Sequence, residues 1–449
     1  VLRFKDLTRP SRGLPRIAVV VALGWLMLAG VLRMTTSLRS SFYSMGSWWQ
    51  LRHRYMEFND SWLPMQMAFD RFESGQIANL YELIGSGIAK FQYPPSSLLL
   101  HAAVHGAGAS LSTAQWNWTV WFAIGVTTLL TAFLWVPLTA KLPPTNRFSG
   151  SDQFWLVVAT FVFVLLFYPL FKAYTQGQAQ AWIDMLFVMA VWAWLYERKA
   201  TAGVLVGLIC LVKPQLSLLV PWALLRGEKR FVAGWAGSFG VGLILSLWRF
   251  GLANQLEYLQ VLGRIARVGE TYFPNQSING LLNRLMFNGD SVGWSPGGFP
   301  TFHPVVYAGT LATSLAMIAF VMLWRRREAP DALDFGFAAL VFTMASPIAW
   351  EHHYGLLPPV ALLLLFNLAR IRDRHLRNRA CLFWLVSWLV CSLFFPLTNR
   401  WAGSYLNVFQ STLLFGAFGL VFLSVWHRRH PDFGTPEIPD ANKDQSSAF

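Results

Sequence analysis

Ten apolar runs dominate this chain, at about residues 15–32, 117–138, 154–171, 179–196, 231–249, 305–324, 333–349, 352–369, 380–397 and 405–426. Each approaches or exceeds the length needed to cross a bilayer. Such runs leave one fold class open, an all-α polytopic membrane protein, because a chain in hydrocarbon must satisfy its own backbone groups. Composition agrees: 55% of the 449 residues are hydrophobic and 13% are charged, against roughly 25% charged in soluble domains. The 22 Trp and 36 Phe suit bilayer interfaces and sugar or lipid sites. Cys210, Cys381 and Cys391 lie in or beside apolar runs without zinc-type spacing, so neither a disulfide framework nor a metal site is expected.

The net charge of +14 reads as topology rather than nucleic-acid binding. Lys141 and Arg147, "ERK" at 197–199, "RGEKR" at 226–230, "RRRE" at 325–328, "ARIRDRHLRNR" at 369–379 and "HRRH" at 427–430 occupy every second loop. The positive-inside rule puts these loops, and both termini, in the cytoplasm. To keep that parity, residues 93–109 must dip into or lie on the outer face. Segments 201–212 and 215–225 then form a hairpin of short helices with Lys213-Pro214-Gln215 at its tip. Counting both arms gives about twelve membrane segments in one domain, residues 1–430. A polar, Pro-bearing tail follows at 431–449, expected to be disordered.

With this topology two long loops, roughly 33–116 and 250–304, face outward, and six polar islands gather on the same side. They are Asn59-Asp60, Tyr93-Pro94-Pro95, "YTQGQAQAW" at 174–182, the Lys213 tip, "FPNQSINGLLNR" at 273–284, and Glu351-His352-His353. Polar groups at such junctions are costly to desolvate and sit in water, in pairs or in a site. A lone loop Asp is usually just solvated, but aromatic residues crowd Asp60: Trp48, Trp49, Tyr55, Phe58 and Trp62. Adjacent histidines do not match the i, i+4 spacing of a helix-borne zinc site. They suit helix-start hydrogen bonding, phosphate contact or proton handling. A cation at the tip of an apolar hairpin needs either an anion or a path to the headgroups.

The ordered set of an acidic first outer loop, "YPP", "GQ", "KPQ", "NQS" and "SP..W.HH" resembles the GT-C glycosyltransferases. More narrowly it resembles the GT87 family, over about Asp60 to Tyr354. That resemblance implies a metal-independent, cofactor-free, inverting transferase at the outer face of a bacterial inner membrane. Its donor would be a polyprenyl-phosphate sugar, commonly mannose, with arabinofuranose or another pentose as the alternative. Its partners would be a glycolipid or polysaccharide acceptor and membrane lipids. In the family the first-loop acid is the base, which matches Asp60; an aromatic more often follows it than Ser61, and Asp70 remains open. A histidine of the "HH" pair is implicated too, either His352 or His353. Lys213, Arg264 and Arg267 are the cations available for the donor phosphate. Asn59, Tyr93, Gln176, Gln178, Gln215, Asn275, Gln276 and Glu351 would hold sugar or acceptor hydroxyls. A lipid-linked-sugar flippase is the competing reading from another class, disfavoured because no two-halves repeat is evident.

Overall fold

The computed structural model describes residues 60–85, 90–143, 147–294, 298–324, 329–393 and 395–429. The first expected span, Asn59, the aromatics before it and the tail at 431–449 lie outside them. Among the described residues the protein is helical throughout, apart from an isolated bridge between Asn275 and Trp350. The helices that matter here are α1 (Trp62–Glu73), α2 (Leu99–Gly106), α3 (Thr113–Phe133), α4 (Gly150–Leu165) and α5 (Tyr168–Thr175). They continue with α6 (Gln180–Leu195), α7 (Lys199–Cys210), α8 (Leu219–Leu224), α9 (Lys229–Val268), α10 (Ile278–Leu285) and α11 (Pro304–Leu323). Four more complete the set: α12 (Ala332–Met344), α13 (Leu357–Ala369), α14 (Arg374–Ser392) and α15 (Thr412–Arg429).

Among the described residues five helical stretches are long and apolar enough to cross a membrane, and six if the bent pair α4–α5 counts as one span. The shorter apolar helices α6, α7 and α12 accompany them. The fold is therefore that of a polytopic helical membrane protein. Helix α12 is buried on nearly every side, as its all-round apolar sequence requires. Helix α9 instead turns Val241, Ile244 and Trp248 outward, the surface a lipid solvent would cover. Helix α2 has eight residues, about 12 Å of rise, too short for a ~30 Å hydrocarbon core. The segment at 93–109 thus does not cross as a single helix.

One sequence expectation is corrected. The outer loop drawn from residue 250 is helical as far as Val268, after a kink at Gly251, whose φ of 76° only glycine adopts cheaply.

Helices α7 and α9 pack at close range because small residues recur every fourth position on both. A Cβ on Gly203 would meet the Phe231 carbonyl oxygen at 2.0 Å, and one on Gly234 would meet that of Ala200 at 2.1 Å. Ser238 Oγ donates across the seam to the Val204 carbonyl at 2.9 Å. Gly203, Gly207, Gly234, Ser238 and Gly242 form the small-xxx-small pattern by which membrane helices approach each other. Gly203→Val should therefore cost about 1–3 kcal/mol by overpacking, read as a lower thermal midpoint in detergent, whereas Gly237→Val, with open space around it, should leave the midpoint in place.

The helices put unlike chemistry at their two ends. At one end Lys141 donates to the Leu195 carbonyl, Arg226 to those of Val321 and Trp324, and Arg428 pairs with Asp331 and Asp334. At the other end lie the start of α1, the α5–α6 turn, the Lys213 tip and the segment before α13.

Candidate active site

The site begins with a docking of loops. The Asp60 backbone N–H donates to the Gln176 carbonyl at 2.9 Å, and the amides of Ser61 and Trp62 to that of Gly177 at 3.3 Å. Gly177 makes the turn possible with φ 56°. Side chains then lock the pairing. Gln178 Nε2 donates to Asp60 Oδ2 at 2.5 Å, and its Oε1 accepts from Ser61 Oγ at 2.7 Å and Tyr93 OH at 3.1 Å. Ser61 is thus the hydroxyl that helps fix the amide holding Asp60. Asp70 is exposed on α1, with no bond to these groups among the described residues.

Cations surround this carboxylate. Burial drives the Asp60 carboxyl up to about 7, and Lys90 is the largest opposing influence. Glu270 pushes it further up, while Lys213 and the Gln178 hydrogen bond pull it down. Burial likewise brings the Lys213 ammonium down to about 7, against the pull of Asp184 and Asp60. Lys90 pairs with Glu270 at 3.3 Å, over the ring of Phe299, and Trp350 Nε1 donates to the other Glu270 oxygen at 2.7 Å. Lys213 Nζ donates to Gln180 Oε1 at 2.6 Å.

The segment Glu351–Leu356 forms a buried 3-10 turn. His352 and His353 lie edge to face with ring centroids 4.6 Å apart, and both feel the Lys213 charge. Neither Nδ1 carries a hydrogen bond, although both are buried. Glu351 answers a different need: it accepts from Tyr168 OH at 2.6 Å and lies in the field of Lys172 and Arg284.

Other expected site residues are placed elsewhere or already engaged. Asn275 spans Glu270, Pro347 and Ala349 through its amide, and Gln276 spans Phe273, Gln410 and Leu414, so both knit the loop to its neighbours. Arg264 and Arg267 are exposed on the last turns of α9, with no bond to Asp60 or Lys213 among the described residues. Gln176 keeps a buried Oε1 without a partner, and Gln215 is half-buried beside Lys213. Lys90, Glu270 and Asp184 were not singled out by sequence. For Asp184 a signal existed, since a lone carboxylate in an apolar helix is a functional candidate by default.

A bundle of apolar helices that gathers a partly buried carboxylate, lysines and paired imidazoles at one end defines a polytopic membrane protein with a cluster of titratable side chains. Its sequence matches the model of Glycosyltransferase family 87 over residues 91–347, and the chain belongs to that family. The match takes in Tyr93, Gln178, Lys213 and Glu270, while Asp60 precedes it and the histidines follow it. The chain is also similar to a polyprenol-phosphate-mannose-dependent alpha-(1-2)-phosphatidylinositol pentamannoside mannosyltransferase of Mycobacterium tuberculosis. The two are 26% identical over 292 residues, 63% of this chain. The chain spans 60% of that relative's length.

Proposed function

We propose that the protein is an inverting glycosyltransferase that moves a sugar from a polyprenyl-phosphate donor to a hydroxyl of a glycolipid or polysaccharide. Mannose is the sugar favoured by the named relative. The observation that carries this reading is the gathering of the partly buried Asp60 and Lys213 and the two buried imidazoles in one cluster. In a single displacement the acceptor oxygen bonds to the anomeric carbon as the bond to the phosphate oxygen breaks. Asp60 takes the acceptor's proton, and the electron pair leaves with the lipid phosphate. A carboxylate whose affinity for protons is raised by burial is a stronger base at neutral pH. Lys213, with His352 or His353, faces the charge growing on phosphate, where preorganised donors contribute most.

The reading includes a GT-C arrangement of about twelve segments in a bacterial inner membrane, with the termini in the cytoplasm and the site on the outer side. There a lipid-borne donor replaces a nucleotide sugar. Purified protein incubated with polyprenyl-phosphate mannose and candidate glycolipid acceptors should give a product heavier by one hexose by mass spectrometry. Absence of product with mannose and pentose donors alike would refute the reading.

The shifts of Asp60 and Lys213 toward neutrality predict a narrow bell for kcat/KM. Below about pH 7 activity rises with pH as Asp60 loses its proton, and above it activity falls as Lys213 loses its own. Initial rates across the neutral range measure both limbs. Lys213→Arg, which stays charged, should remove the alkaline limb alone.

A further inference from the structure

We infer that Asp184 is a positioning residue that acts through Gln180 to hold Lys213 charged and aimed at the lipid phosphate; this rests on the function proposed above. Gln180 and Asp184 are four residues apart on α6 and so share a face. Gln180 Nε2 donates to Asp184 Oδ1 at 2.8 Å, and its Oε1 accepts from Lys213 Nζ at 2.6 Å. The two ends of this chain of bonds have fixed polarity. An ammonium only donates and a carboxylate only accepts, so the amide between them has one orientation that satisfies both. Asp184 thereby determines that a carbonyl oxygen, and not an NH2 group, meets Lys213.

The carboxylate is also placed with little freedom. It is 1% exposed, and its second oxygen has no hydrogen-bond partner. A Cβ on Gly355 would come within 1.9 Å of that oxygen. Gly355 lies two residues after His353, so the segment bearing the imidazoles closes over Asp184 and can do so only without a side chain there. The charged and titratable groups facing Lys213 are then Asp184 from α6, Asp60 from the start of α1, and His352 and His353 from the segment before α13. Asp60 gives up its negative charge when it takes the acceptor's proton. Asp184 takes no proton from the acceptor, so its hydrogen-bonded link to Lys213 through Gln180 persists throughout the transfer.

The test measures binding of decaprenyl phosphate to the full-length protein in detergent, as Kd against pH, without turnover. Asp184→Asn keeps shape and hydrogen bonding but removes the charge. It should move the alkaline limb of binding down by about 1–3 pH units, the usual effect of one nearby opposite charge. Gln180→Leu, which breaks the bridge and leaves the carboxylate, should weaken binding at neutral pH. In a Lys213→Met background Asp184→Asn should change nothing further. An unmoved limb, or equal weakening in both backgrounds, would overturn the proposal by showing that Asp184 only supports packing. Wild-type protein that binds decaprenyl phosphate yet transfers no sugar would refute the transferase reading and leave the positioning role standing. Wild-type protein that fails to bind this lipid would overturn both.

Discussion

Asp60→Asn should lower kcat by about 10²–10⁴, the usual contribution of a general base, while leaving donor affinity within a few-fold of wild type. The substitution is close to isosteric. The introduced amide can still receive the Gln178 bond through its carbonyl oxygen, so the docking of α1 on the Gln176–Gln178 turn should survive. What disappears is the group able to accept the acceptor's proton. The exposed Asp70 offers the contrast: Asp70→Asn should fall within the small range typical of surface changes. Single-turnover kinetics with preloaded donor separates the chemical step from binding. A loss confined to KM would mean that Asp60 only binds substrate.

The second large effect is expected at Lys213. Lys213→Met should lower kcat by about 10²–10³, the scale seen when one donor to a developing anion is removed. It should also raise the donor KM, because the ammonium meets phosphate before as well as during transfer. The loss should fall on kcat and on KM together, unlike the loss from Asp60→Asn. Lys90 is already engaged elsewhere: that ammonium is paired with Glu270 and lies over the ring of Phe299.

Much of this was legible in the sequence, and the reason differs from place to place. Spans at 117–138, 305–324 and 405–426 were readable because lipid imposes one rule on every residue of a run, and α3, α11 and α15 fall there. The Lys213 tip was readable because a cation between two short apolar arms has few places to go, and it lies between α7 and the turn leading into α8. Asp60 stood out through its aromatic neighbours, and Gln178 through the "GQ" pattern. Pairings across long stretches of chain could not be read this way. Lys90 and Glu270 are 180 positions apart, and nothing in the local pattern of either announces the other. Asn275 and Gln276 look like sugar-binding amides, yet burial obliges them to satisfy backbone groups first. Arg264 and Arg267 looked like loop cations because the helix was expected to end near residue 250. Gly251 bends α9 without stopping it, and the two arginines ride its far turns.

The central claim is that the base and the ammonium face the same sugar from opposite sides. The most direct measurement is a cryo-EM structure of the Asp60→Asn protein with a polyprenyl-phosphate sugar bound. The account predicts phosphate oxygens within about 3 Å of Lys213 Nζ, as a charge-assisted hydrogen bond requires. It also predicts the anomeric carbon between that phosphate and the side chain at position 60, with room there for an acceptor hydroxyl. A phosphate held at Arg264 and Arg267, or a sugar turned away from position 60, would contradict it.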